Sequence, residues 1–206
     1  VVKYEPPMPK CLMGLAKGKF PSYVPKTDET RVQLLQDVLN RHAGLDCYVT
    51  EKIDGSSVTY FIRDGEFGVA SRNLELKEGE NAYWKWAKNN GVEDKLRNLD
   101  CNIAIQGEIH GVGINGNPLQ ISSIDVRFFN AFYIDTCQYL SFGDFTELIA
   151  QLGFKTVPIL ETKFKLVNSV EILVKMSIGK SAITPKVWRE GIVIRPLKEA
   201  MDLGMV

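Results

Sequence analysis

The four cysteines of this 206-residue chain, Cys11, Cys47, Cys101 and Cys137, include no C-x-x-C pair. That scatter argues against a structural zinc site and fits free thiols in a reducing, intracellular compartment. No apolar run approaches the roughly 20 residues of a membrane-spanning helix, so no membrane partner is expected, and no secretory leader precedes Val1. Net charge is also lacking: 25 basic residues balance 25 acidic ones, and no global field advertises a polyanionic partner. Repeats and low-complexity tracts are absent. The composition, 45% hydrophobic and 24% charged, is ordinary for a globular protein, and the length suits one domain with a real core. A start at Val1 instead of methionine suggests a piece of a longer protein.

Charge is nevertheless uneven along the chain. From Gln151 onward there are nine basic residues and five acidic ones, so 9 − 5 = +4. Such an imbalance is either a solvated face or a surface for a phosphate backbone.

Five prolines in residues 1–25 mark an extended, irregular lead-in. Thr27 or Asp28 then caps a helix carrying Val32, Leu35, Val38 and Leu39 at helical spacing, with Gly44 as its stop. Arg31 in its first turn opposes the helix dipole, which suits either a surface arginine or a phosphate-facing one. Strands are expected at 46–50 and 57–63, with Arg63-Asp64-Gly65-Glu66 turning into a third at 67–72. Helices follow at 80–90 and 92–99, the first carrying Trp84 and Trp86, which suit either core or domain-edge packing or the stacking of bases. Residues 101–108 and 127–135 read as strands. Gly143 or Asp144 starts a helix that Gly153 ends, Ser169 caps another, and 188–196 is the last strand. The sum is α+β, mainly antiparallel sheet with peripheral helices.

Between the first two strands stands Glu51-Lys52-Ile53-Asp54-Gly55. A lysine at a strand end beside an Asp-Gly turn is either an outward charge or a partly desolvated nucleophile. A competing motif is Gly111-x-Gly113-x-x-Gly116, with Asp135 at the distance of a ribose-binding acid. A dinucleotide fingerprint must open a helix, and here Asn117-Pro118 and a run without helical period follow. It reads as a glycine-rich loop.

Lys52-Ile53-Asp54-Gly55 resembles the lysine motif of the covalent nucleotidyltransferases, the polynucleotide ligases and messenger-RNA capping enzymes. Four further stretches fall in that superfamily's order: Ser71-Arg72-Asn73, Gly107-Glu108-Ile109-His110-Gly111, Phe129 to Asp135, and Glu190-Gly191-Ile192-Val193-Ile194-Arg195-Pro196. Residues 20–31 are similar to a narrower branch, ATP-dependent RNA ligases with an OB-like module ahead of the catalytic domain. The likeness covers Pro21 to Pro196 and implies the nucleotidyltransferase adenylation fold over 1–206, with 1–25 as lead-in.

What the resemblance implies can be stated residue by residue. Lys52 attacks the α-phosphorus of ATP, expels pyrophosphate and carries AMP. The AMP passes to a 5′-phosphate end, and a 3′-hydroxyl displaces it to seal the strand. An ordinary lysine is neutral about once in a thousand at pH 7.4, a penalty of roughly 4 kcal/mol. A divalent cation, Mg2+ or Mn2+, would ease that penalty, held by Asp54, Glu108 and Glu190 directly or through water. Glu51 would accept from the adenine amino group, Phe132 would stack on the base, Arg72 and Arg31 would hold phosphates, and Glu108 would also reach the ribose. The expected partner is nicked or broken RNA, or an RNA–DNA duplex, and the expected state a monomer. A DNA ligase, a GTP-using capping enzyme and a non-catalytic nucleic-acid-binding module are the alternatives.

One departure from the family pattern stands out. No lysine pair like the superfamily's last motif follows Glu190 before Val206, and Lys198 lies too near Glu190 to serve. The OB-like module is likewise outside these residues. The 206 residues alone are therefore expected to adenylate slowly and not to seal RNA.

Overall fold

The computed structural model describes residues 14–199 and residue 202. Cys11 and the first half of the proline-rich lead-in lie outside the described residues.

Two antiparallel sheets meet at the lysine motif. The larger has seven strands: β1 (Ala16–Lys19), β3 (Ser56–Arg63), β4 (Glu66–Ser71), β5 (Leu74–Leu76), β6 (Ile103–His110), β7 (Asp125–Tyr133) and β8 (Gln138–Tyr139). Their order is β1-β5-β4-β3-β6-β7-β8. The smaller sheet sets β2 (Asp46–Lys52) between β10 (Gly191–Pro196) and β9 (Ile159–Lys165). The chain leaves β2 at Lys52 and enters β3 at Ser56, so Ile53-Asp54-Gly55 is the crossing from one sheet to the other.

Alternation along β3 explains how the large sheet is covered. Val58, Tyr60 and Ile62 point to one face, where they pack with Trp84, Trp86, Val92, Leu96 and Ile149. Those partners come from α2 (Ala82–Asn89), α3 (Val92–Arg97) and α4 (Phe142–Gln151). The two nearby tryptophans are thus core residues. Phe61 on the opposite face joins Val24, Ala70, Ala104, Phe132 and Ile134 in a second cluster. Two-residue periodicity makes this two-sided burial possible.

Local signals behave as their chemistry requires. Asn81, Ser141 and Ser169 each accept from a backbone N–H at the start of α2, α4 and α5 (Val170–Ser177). Asp64 and Gly65, with φ of 52° and 77°, turn β3 into β4. Residues 111–120 form a loop, as the proline after the glycines requires, and open no helix.

Two expectations need correction. Residues 16–19, inside the supposed irregular lead-in, form β1 and pair with β5. Neither Thr27 nor Asp28 caps a helix. Residues 25–31 have no regular structure, a 3-10 turn follows at Val32–Leu34, and the next helix, α1, spans only Gln36–Arg41. The polar side chains are used elsewhere: Thr27 hydrogen-bonds Ser57 at 2.8 Å, Asp28 pairs with Arg72 at 2.8 Å, and Glu29 pairs with Arg195. Tertiary contacts have won the groups that a cap would need.

Candidate active site

Between the two sheets lies a cleft of about 500 Å3. Lys52, Asp54, Glu108, Glu190, Glu51, Arg72 and Arg31 all line it, although 159 residues separate the first from the last in sequence, 190 − 31. β2 brings Glu51 and Lys52, β6 brings Glu108, and Glu190 stands at the foot of β10. Gly191 is registered opposite Lys52, which holds Glu190 beside the lysine.

Lys52 donates from Nζ to Glu190 Oε1. Its side chain is 45% exposed, so the amine can be reached from the cleft. The crossing is tightly fitted beneath it. A Cβ on Gly55 would meet the Ile109 carbonyl oxygen at 2.4 Å and the Glu108 Cγ at 3.0 Å. Glycine at this position therefore lets the motif press against β6, where Glu108 sits.

Glu108 is the most perturbed carboxyl in the cleft. Burial pushes it up to about 7, Glu190 and Asp54 add to the rise, and the Lys52 ammonium and the Gly55 N–H oppose it. The unfolded chain releases this proton near the ordinary carboxylate value and the folded chain near 7. Between those values the folded state holds more protons, so stability falls as pH rises from about 4.5 to about 7 and then levels, by on the order of 3 kcal/mol. Buried His110 has its titration pushed down and works in the opposite direction below its ordinary value. The Glu108→Gln variant isolates the carboxyl. In chelator its denaturation midpoint should lose the decline that the parent shows across that window, and an identical decline in both proteins would refute the assignment.

Glu51 is 1% exposed. Its Oε2 accepts from the Ala182 N–H at 2.6 Å, and its Oε1 is buried with no partner. A buried carboxylate oxygen left unpaired is costly, by about 1–3 kcal/mol or more. It marks a place where a donor belongs.

Phe132 requires correction. It is 5% exposed, packs edge-on to Tyr139 at 5.0 Å and lies in the second core cluster, away from the cleft. Phe129 lines the cleft in its place, over Ile53, Leu119 and Val157. The cause is a β-bulge. Gln106 is opposite Asn130 and Gly107 opposite Phe128, so Phe129 has no partner and its side chain leaves the alternation.

The carboxylate set also needs refinement. Among the described residues no three carboxylate, thiol or imidazole groups stand close enough to ligate one ion together. Glu190 is engaged by Lys52, and Asp54 accepts from Asn115 Nδ2 at 2.5 Å. Three acids coupled across one cleft suit a hard divalent cation that keeps its water shell, contacted through those waters.

Sequence reasoning missed two further residues. Asn115, on the glycine-rich loop, has a φ of 45° and reaches the lysine motif. Arg195, whose side chain is 11% exposed, bonds Glu29, the Phe129 carbonyl at 2.9 Å and Asn130 Oδ1 at 2.5 Å. It ties β10 to the bulge and to the segment bearing Arg31. An arginine inside the apolar run Ile192-Val193-Ile194-Arg195 was a signal of a buried, bonded cation.

A lysine at the junction of two antiparallel sheets, facing a cleft of acids and arginines, defines a nucleotidyltransferase-type fold. The RNA ligase family matches residues 45–204, and the chain belongs to that family. Three solved structures of Naegleria gruberi RNA ligase are similar to it. A lysine-to-alanine mutant with ATP and Mn is 37% identical, with a TM-score of 0.88, over 96% of this chain and 59% of the other. The form with PPi is 38% identical, with a TM-score of 0.86, over 95% and 59%. A lysine-to-methionine mutant with AMP and Mn is 37% identical, with a TM-score of 0.87, over 96% and 60%. The chain thus spans about three fifths of the length of the structures it matches. No curated protein sequence matches it. No helix among the described residues is long and apolar enough to cross a membrane.

Proposed function

We propose that this chain carries the adenylate-forming site of an ATP-dependent RNA ligase, with Lys52 as the nucleophile. The observation that carries this reading is the approach of Lys52, at the sheet junction, to Glu190 within a cleft that also holds Glu51, Glu108 and three arginines. The similar Naegleria ligase has been solved with ATP, AMP, PPi and Mn.

In this account Glu190 draws proton density from Lys52, whose neutral amine attacks the α-phosphorus of ATP. A P–N bond forms, the P–O bond to pyrophosphate breaks, and the lysine's proton leaves by way of the carboxylate. Arg31 and Arg72 border the same cleft and are placed to meet phosphate charge. Asp54, Glu108 and Glu190 would hold a Mg2+ or Mn2+ through its waters, and the ion would supply charge neutralisation at phosphate. The AMP then passes to a 5′-phosphate of nicked or broken RNA, in an RNA or RNA–DNA duplex, and a 3′-hydroxyl displaces it. One chain suffices for every group named, so a monomer is the proposed acting unit.

Base selection rests on Glu51 and Phe129. The unpartnered Oε1 accepts from an exocyclic amino group in the position adenine offers, where guanine presents a carbonyl oxygen. Two facing acceptors repel, so ATP is selected over GTP. Incubation with α-labelled ATP or GTP and magnesium, followed by denaturing electrophoresis, tests this. Label should stay on the protein with ATP and stay at background with GTP. Preferential labelling by GTP would indicate a capping-type enzyme, and no labelling by either over long incubation would support a binding module.

A further inference from the structure

Trp84 and Trp86 are buried in the core, whereas Trp188 is 66% exposed. Its surroundings are built, not loose. Trp188 forms an antiparallel bridge with Lys180, flanked by bonds from Ser181 N–H to the Val187 carbonyl and from Arg189 N–H to the Gly179 carbonyl, each 3.0 Å. The Arg189 guanidinium donates to the Met176 and Ser177 carbonyls at 2.6 and 2.9 Å, closing the loop onto the end of α5. On the inner side Ile183 and Val187 pack against the cluster of Ile53, and the Ala182 N–H holds Glu51. The frame therefore fixes the indole outward.

The segment that carries it has charge of one sign up to Glu190. Residues 178–189 include Lys180, Lys186 and Arg189 and no acidic residue. Lys180 Nζ lies 4.2 Å from the Trp188 ring centroid and donates to the Lys186 carbonyl at 3.3 Å. Trp188 also precedes Glu190, the partner of Lys52, by two residues. The ring itself is not among the residues that line the cleft, so it stands beside the site and leaves the nucleotide pocket free. An exposed aromatic beside two lysines, whose nearest carboxylate in sequence, Glu190, is already bonded to Lys52, has the character of a stacking platform for single-stranded nucleic acid.

We propose that Trp188, Lys180 and Lys186 form the docking platform for the 5′-phosphate end of an RNA strand, a base stacking on the indole while the lysines meet the adjoining phosphates. This rests on the ligase reading for its substrate and for nothing else. An apolar protein segment would gain from the ring alone and would leave both ammonium groups without counter-charge, which is why a polyanion fits better.

The test titrates the chain with a labelled 5′-phosphorylated oligoribonucleotide at low salt and follows anisotropy. Trp188→Ala should weaken binding about tenfold, Trp188→Phe should retain most of it, and Lys180→Gln should weaken it with a salt dependence shallower by about one counterion. Intrinsic fluorescence should be quenched by the RNA in the parent chain and not in Trp188→Phe. Labelling by α-labelled ATP, which needs no RNA, should be equal in parent and Trp188→Ala. Equal RNA affinity in parent and Trp188→Ala would overturn the platform, as would concentration-dependent self-association lost in that variant. RNA quenching through Trp188 in a chain that no nucleotide labels would support the platform while refuting the ligase reading.

Discussion

Replacing Lys52 with arginine should abolish the acid-labile nucleotide adduct. The substitution keeps positive charge beside Glu190 and asks only whether the group must give up a proton. A guanidinium stays protonated in proteins, so it has no lone pair to form the P–N bond. The loss should be complete, because no later step can compensate for an absent nucleophile. ATP binding should persist, since Glu51, Phe129, Arg72 and Arg31 line the cleft independently of the amine. Labelling of the variant at the parent's level would show that another residue carries the nucleotide.

The second large effect is expected at Glu190. Its carboxylate bonds Lys52 and adds to the upward push on Glu108. Glu190→Ala removes the carboxylate bonded to Lys52 and one of the three acids proposed to hold the cation through its waters. The rate of a single round of lysine adenylation should fall by roughly 10²-fold or more. Excess magnesium should restore only part of it, because the ion replaces none of the lost hydrogen bonding. An independent sign accompanies the rate: with Glu190 gone, the titration of Glu108 should move down towards the ordinary carboxylate range. A parent-like rate in this variant would remove Glu190 from the chemistry.

Much of the cleft was legible because its residues fall in ordered motifs at strand ends, where a carboxylate or lysine interrupts an otherwise apolar run. Glu51, Lys52, Asp54, Glu108 and Glu190 all have that form, and the structure brings them together. Phe132 was assigned to the base by its place in the aromatic motif of residues 129–135, which holds Phe129 as well. Motif order does not say which of the two aromatics faces the cleft, and the bulge at Phe129, which breaks the strand's alternation, is not visible in it. The helix expected from Thr27 or Asp28 failed for a related reason, since those two capping groups bond residues 30 and 44 positions away in sequence, 57 − 27 and 72 − 28. Strand β9 gave little signal because it is a mostly exposed edge with charges on both sides of Phe164. Strands of two to four residues, such as β1, β5 and β8, are held by their neighbours more than by their own composition.

The electrostatics of the site were even less visible. Desolvation of Glu108 depends on how closely Gly55 lets the crossing approach β6, a distance no motif encodes. Arg195 belongs to the same class. Its role in joining the bulge, the β10 strand and the Glu29 segment exists only in three dimensions.

The most direct test of Lys52 as an ATP-specific nucleophile is to locate the nucleotide on the protein. After prolonged incubation with ATP and magnesium, proteolysis under conditions that spare the P–N bond, followed by mass spectrometry, identifies the modified peptide. The expected result is a single AMP on the peptide containing Glu51-Lys52-Ile53-Asp54, with fragment ions placing it on Lys52. AMP on any other lysine, or a guanylyl group on Lys52 when both nucleotides compete, would contradict it.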